Sequence, residues 1–275
     1  MTQMPRLTDR AQLARNRARS RADALFLHEA VADQVLERLE EVNRQFTAPA
    51  IVTGHPDFWA ACLPGAKVVE DADRLDLAPG AHDLVLHAMA LHWADDPVGQ
   101  LVQSRHALKP DGLLIAAFPG GQTLHELRAA LASAEAEVAG GLSPRVAPMG
   151  EIRDMGALLQ RAGLALPVAD AMTLTASYRD LPHLMSDLRA MGEGNALAAR
   201  LRRPSRRALF ARADAIYRSH FATEDGRIPA TFEILTLTGW APDASQPQPL
   251  RPGSAVTRLA DALGTREGDF PQSDG

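Results

Sequence analysis

The sequence has a single cysteine, Cys62, which can close no intrachain disulfide and supply no thiolate cage for zinc, so structural cysteine clusters are excluded and a reducing compartment is implied. Long apolar runs are missing as well. Runs such as Leu113 to Phe118 fall far short of the roughly 20 residues needed to cross a bilayer, and no signal-peptide core is legible at the N-terminus. Nor is there an excess of positive charge: 29 basic against 34 acidic residues give a formal net charge of -5, which argues against nucleic-acid binding. What is present, 46% hydrophobic and 23% charged positions in 275 residues, suffices for one large core or two modest domains.

Lysine is almost absent too. Only Lys67 and Lys109 occur, so arginine carries the positive charge, and Arg6, Arg10, Arg15, Arg17, Arg19 and Arg21 crowd the first 21 positions. Residues 1–21 are expected as a basic arm: a targeting segment, an exposed arm meeting anionic lipid or an acidic partner, or a solvated, partly frayed terminus. Its removal is expected to leave the melting temperature nearly unchanged. A second cluster, Arg200, Arg202, Arg203, Arg206 and Arg207 around Pro204, reads as a helix-entry loop first and a docking patch second.

From Ala22 to Val42, apolar residues recur near helical spacing, which predicts an amphipathic helix of about five turns. Short apolar runs then alternate with helical patterns. Strands are expected over Ala50 to Thr53, Lys67 to Val69, Asp83 to Ala88 and Leu113 to Phe118, with a helix from Pro97 to Leu108 and a turn at Lys109-Pro110-Asp111-Gly112. Further helices follow at Leu124 to Val138 and Ile152 to Ala162. In the final third, strands at Leu166 to Ser177 and Ala230 to Trp240 bracket helices at Leu181 to Met191 and Arg206 to His220. That pattern fits an antiparallel sheet edge with an inserted helical cap, about 178–222. The organisation expected is therefore the arm, one domain over 22–240, and a proline-rich, mostly disordered tail over 241–275.

The first strand of such a sheet should run into a glycine-rich turn that lets backbone approach a ligand. Here the turn reads Ile51-Val52-Thr53-Gly54-His55-Pro56-Asp57-Phe58, with one glycine, and Pro56 has no N–H to offer. Ile51 and Asp83 stand so close that only one short crossover fits between them, since a strand-helix-strand unit takes roughly 30 residues. The sheet is thus expected to be truncated on the cofactor side.

Several separated segments carry a resemblance: Asp83-Leu84-Val85, Leu91-His92-Trp93, Leu108-Lys109-Pro110-Asp111-Gly112, Gly120-Gly121-Gln122-Thr123-Leu124-His125-Glu126-Leu127-Arg128, Gly140 to Pro144, Asp187 to Glu193, and Glu224 to Thr231. From Arg10 to Trp240 the chain resembles the class I S-adenosylmethionine-dependent methyltransferases, and within them the branch of respiratory complex I assembly factors described as arginine hydroxylases. More distantly it is similar to the malonyl carrier-protein methyltransferases of biotin synthesis. The resemblance implies an α/β, Rossmann-like, mostly parallel sheet with helices on both faces. It also implies a protein partner, a complex I subunit, that is modified or chaperoned. The location implied is mitochondrial for a eukaryotic source, and cytoplasmic, with peripheral contact at the inner membrane through the arm, for a bacterial one. The alternatives are a methyltransferase acting on a small molecule or carrier-protein thioester, and a non-catalytic assembly protein. The family's first glycine motif is reduced to Gly54, the acid that grips the ribose hydroxyls has no clear counterpart, and by resemblance Asp71, in Glu70-Asp71-Ala72, sits where the family places the acid that meets the adenine amino group. Thr53, Gly54, Asp71 and His87 are therefore the cofactor-side candidates, with S-adenosylmethionine bound weakly or not at all.

On the substrate side, His92, Trp93, Thr123, Glu126, Arg128 and Glu193 are the candidates. His87, His92 and His125 read as packed or surface histidines rather than metal ligands, and no metal site is expected. Thr123 and Glu126, three apart, also spell a capping box. Asp187, Arg189, Glu193 and Asn195 lie on the cap around Gly192, and Glu224-Asp225-Gly226 reads as a turn. The segments Gly120 to Arg128, Met185 to Asn195 and Glu224 to Thr231 are expected to converge over the carboxyl ends of the strands. Glu126, Arg128 and Glu193 would then line a polar groove for a basic peptide.

Overall fold

A computed structural model describes residues 6–247. The chain divides into two units, 1–243 and 244–275; only residues 244–247 of the second are described, so the expected tail lies from residue 248 onward outside the described residues.

Six strands form one sheet in the order β2-β1-β3-β4-β6-β5. The strands β1 (Pro49–Thr53), β2 (Lys67–Glu70), β3 (His82–Ala88) and β4 (Leu108–Gly120) are parallel, while β6 (Ile228–Trp240) runs antiparallel between β4 and the edge strand β5 (Ala165–Tyr178). The central strands read as continuous apolar runs because both faces are covered. Ile51, Leu84, Leu86, Leu113 and Ile115 point into one core with helices α2 (Phe26–Glu41), α5 (His125–Ala139), α7 (Leu181–Ala190) and α8 (Arg207–Phe221). Their neighbours Ala50, Val52, Val85, Leu114 and Ala116 point into the other, against α4 (Pro97–Ala107) and α6 (Ile152–Arg161). Each fully buried leucine or isoleucine in these layers contributes about 1.5–3 kcal/mol.

The truncation read from spacing is present. Strand β2 is a four-residue edge, reached from β1 through the short helix α3 (Pro56–Cys62), and no helix lies between β2 and β3. Pro56, a liability for ligand contact, opens α3 at a position where no N–H is needed. The expected turn at 109–112 sits inside β4 as a bulge: His82 pairs with Leu108 and Leu84 with Leu113, the residues between them looping out with Asp111 at φ 57°.

The basic arm needs correction. In its described part, residues 6–21, it is a packed strap. Thr8 bridges antiparallel to Leu197, Asp9 N–H donates to Ala196 O at 2.8 Å, and the Asp9 carboxylate caps helix α1 (Arg10–Arg17) through Gln12 N–H. Leu13 is 1% exposed, packed with Trp93, Ala147, Ala196 and Leu197. Two of the arm's arginines, Arg10 and Arg17, are held against the fold by Asp71, and Asp9 of the arm meets Arg200 and Arg202, while Arg6, Arg15, Arg19 and Arg21 stay exposed.

Candidate functional site

Among the described residues, concave regions at the carboxyl ends of the strands include two that bear on the expected sites. The first, of about 470 Å³, lies where β1 and β2 end and is lined by Arg10, Leu13, Arg17, Gly54, Asp71 and Asp73 among others. Thr53, buried at the end of β1, accepts from His55 N–H at 3.2 Å. The Arg17 guanidinium lies against Gly54, so that even a methyl group added there would collide with it. Arg17 also donates two bonds to Asp71, at 2.5 and 3.1 Å, and Arg10 a third at 3.2 Å, with the Asp71 main-chain carbonyl held by Arg10 as well. Burial pushes the Asp71 carboxyl upward, but the two guanidiniums outweigh it and hold it below its ordinary value. An adenosine-type cofactor needs the bare Gly54 backbone and a free acid. Both are engaged by α1 in this arrangement, so Arg17 and Arg10 would have to release them before such a ligand could use them.

His87 does not line this groove. Fully buried in β3, its Nε2 donates to Gln100 Oε1 at 3.1 Å, while Gln100 donates to Ala72 O at 2.6 Å, tying β3, α4 and the loop after β2 together. Burial pushes its pKa down to about 4, so the ring is neutral.

The second region is a cavity of about 360 Å³ with largely apolar walls: Leu124, Leu127, Met185, Leu188, Met191 and Phe210. Its polar centre is Glu193. Trp93 Nε1 donates to Glu193 Oε2 at 2.8 Å and His92 Nε2 to the same oxygen at 3.1 Å. Oε1 accepts nothing from the described residues. Burial raises the Glu193 pKa, but His92, Arg17 and Trp93 more than reverse this and bring it to about 2, so the group is a carboxylate at neutral pH. The cap turn that carries it is fixed by α1: Asn16 Nδ2 donates to Gly194 O, and Gly192 lies close to the Arg17 backbone and the His55 ring at φ 91°, a backbone conformation that strains any residue with a side chain. Behind the turn, His28 and His55 stack edge to face at 4.5 Å, and His28 Nδ1 accepts from Trp59 Nε1 at 3.1 Å. Burial lowers both rings, His28 to about 3, so they form a neutral wall. Among the described residues no group of three or more His, Cys, Asp or Glu is arranged to hold a metal ion.

Of the substrate-side candidates, His92, Trp93, Thr123 and Glu193 line this cavity; Glu126 and Arg128 do not. Glu126 is buried and accepts from the Thr231 hydroxyl and N–H, bracing α5 against β6. Arg128 reaches only the carbonyls of Thr123 and Ala147, at 3.4 Å. The capping box does not form: Leu124, at φ 54°, is the cap residue without a side-chain bond, and Thr123 exchanges bonds with the Glu233 main chain at 2.9 and 3.0 Å. Two of the three segments expected to converge do meet at the cavity. The third, Glu224 to Thr231, does not line the cavity: it is hydrogen-bonded to the first through Thr231, and Asp225 closes a local turn with Thr223 and Arg227. The polar groove of Glu126, Arg128 and Glu193 is therefore absent, and in its place stands an apolar cavity with one carboxylate. Reasoning from sequence missed Arg10, Arg17, His28 and His55. Arg10, Leu13, Ala14 and Arg17 do share one helical face, which was the available signal.

Residues 18–116 match the model of a family described as a methyltransferase domain. Over 199 residues the chain is 39% identical to the mitochondrial arginine-hydroxylase NDUFAF5 of Danio rerio, covering 72% of this chain and 62% of that protein. It thus spans under two thirds of the length of that relative. Over 235 residues it is 30% identical to the malonyl-[acyl-carrier protein] O-methyltransferase of Xylella fastidiosa (strain M23), covering 86% of this chain and 71% of that enzyme. Among solved structures, a Bacillus halodurans C-125 protein described as a putative methyltransferase matches loosely, with TM-score 0.48 and 14% identity over 76% of this chain and 99% of that one.

Proposed function

We propose, from the premise that the chain belongs to the class I S-adenosylmethionine-dependent methyltransferase superfamily, that it acts on a protein partner in respiratory complex I assembly, modifying or chaperoning a subunit at an arginine. One observation carries this reading. At the groove that would hold the cofactor, the chain's own α1 lays Arg17 over Gly54 and engages Asp71, while the cavity on the substrate side presents an ionised Glu193. The relative named an arginine-hydroxylase supports arginine as the target chemistry, and the resemblance to complex I assembly factors supports the partner. S-adenosylmethionine is on this reading a weak ligand, admitted only when Arg17 leaves Gly54. The site of action is the mitochondrial matrix, or the bacterial cytoplasm with its inner-membrane face. Among the described residues no helix is long and apolar enough to cross a membrane.

A second reading, methyl transfer to a carrier-protein thioester, is favoured by the match that covers 71% of a malonyl carrier-protein methyltransferase. Mass spectrometry separates the two. Co-purification with a complex I subunit, together with loss of one oxygen from an arginine of that subunit in cells lacking the protein, is the expected result. A methylated carrier-protein thioester with unaltered complex I arginines overturns the first reading.

A further inference from the structure

We propose that Glu193 is the receptor for a guanidinium on an aliphatic stem, so that the cavity around it takes the side chain of an arginine presented by the partner. The inference rests on the reading above for its biology but on the cavity for its chemistry. Glu193 lines the cavity with one oxygen committed to Trp93 and His92 and the other unengaged by the described residues. A carboxylate so placed repels carboxylates and phosphates and attracts a cation. The aliphatic walls select which cation: methylenes gain by contact with Leu124, Leu127, Leu188 and the adaptable Met185 and Met191. Guanidinium is more weakly hydrated than ammonium and gives up water at lower cost, and its planar face suits the adjoining His92 and Trp93 rings, whose centroids lie 5.4 Å apart.

The cavity's own arginines do not fill this role. Arg145 is bound to Glu135 at 2.7 Å and Arg200 to Asp9 at 2.9 Å, while Arg189 is exposed at the mouth, where solvent screens it. Arg17, the remaining cation felt by Glu193, is committed to Asp71. Among the described residues, therefore, no cation occupies the second carboxylate oxygen.

The test uses small probes on the full chain: N-butylguanidinium, its neutral isostere N-butylurea, and butylammonium, with binding read by calorimetry. The guanidinium is expected to bind at least about tenfold more tightly than the urea, the margin of a charge-assisted pair over a neutral one, and more tightly than the ammonium. Glu193→Gln should abolish the preference for the cation. Because that variant loses a partner of His92 and Trp93 and can fail to fold, Met185→Trp serves beside it: it fills the cavity from its half-buried wall, leaves Glu193 in place, and should eliminate binding of all three probes. Equal affinities for guanidinium and urea, no binding of either, or a preference that survives Glu193→Gln in a folded variant overturns the proposal. The probes contain no protein. Discrimination at Glu193 without any complex I association would leave this inference standing and remove the reading it rests on; association without discrimination would do the reverse.

Discussion

Arg17 is the residue whose removal says most about the cofactor groove. Its guanidinium covers Gly54 and makes the shortest ion pair to Asp71, at 2.5 Å, between side chains only 12% and 7% exposed. Any ligand that uses Gly54 and Asp71 must first break that pair. Breaking a buried pair by removing one partner costs about 3–5 kcal/mol, and the lower figure applies because Arg10 remains on Asp71 at 3.2 Å. A cost of about 3 kcal/mol corresponds to roughly a hundredfold in affinity. Wild-type protein should therefore bind S-adenosylmethionine more weakly than micromolar, and Arg17→Ala should tighten that binding by about ten- to a hundredfold, the range allowing for partial compensation by water. Titration calorimetry with S-adenosylmethionine and its demethylated product measures both, and circular dichroism shows that the variant is folded. Tight stoichiometric binding by the wild type, or unchanged or weaker binding by folded Arg17→Ala, refutes the view that α1 occupies the cofactor's place.

Deleting residues 1–21 should lower stability by more than about 3 kcal/mol in urea melts, since burial lost at a leucine such as Leu13 alone costs about 2–5 kcal/mol and Asp71 is left buried without its arginines; an unchanged midpoint would restore the picture of a free arm. Acid should destabilise the fold through Glu193, whose folded pKa of about 2 lies below its ordinary 4.5: the contribution, on the order of 3 kcal/mol, is complete above about pH 4.5 and is lost as pH falls toward 2. Glu193→Gln should flatten that part of the pH–stability profile, and an identical slope in the variant would contradict the assignment. Glu126→Gln should cost about 1–3 kcal/mol by weakening the bonds from Thr231 while leaving butylguanidinium affinity as in the wild type; a parallel loss of binding would put Glu126 back at the site.

The sheet was legible because its central strands are apolar on both faces, and so stand out as runs such as Leu113 to Phe118 whatever their neighbours do. Its truncation was legible from chain length alone, since no second crossover fits between β1 and β3. The strap was not. Its arginines read as a charge run, and the acid that neutralises Arg17 lies 54 residues further along the chain. Local spacing cannot reveal a partner supplied by topology. Glu126 failed in the opposite way: its position just after a strand end suggested a substrate-facing role, yet it turns to Thr231, 105 residues away, because β6 inserts beside β4. Glu193 was picked out as a polar residue next to a glycine turn. Its link to His92 and Trp93, across about a hundred residues, needed the fold.

Groove and cavity share one element, and this sets a constraint on how either can be used. Helix α1 places Arg17 on Gly54 and Asp71 on one side; on the other, α1 and the residues flanking it hold the turn that carries Glu193, through Asn16 to Gly194 O, Arg21 N–H to Ala190 O and Asp9 N–H to Ala196 O. Opening the groove requires lifting Arg17, and an α1 that moves as a body loosens those three bonds with it. A cation seated on Glu193 binds best when the turn is held, so it favours the closed groove; by linkage, a ligand that opens the groove weakens the cation by the same factor. Partial motion of the Arg17 side chain alone would leave the sites independent. Titrating butylguanidinium with and without saturating S-adenosylmethionine distinguishes the two: a reciprocal loss of affinity identifies α1 as the moving unit, whereas additive binding confines the motion to one side chain.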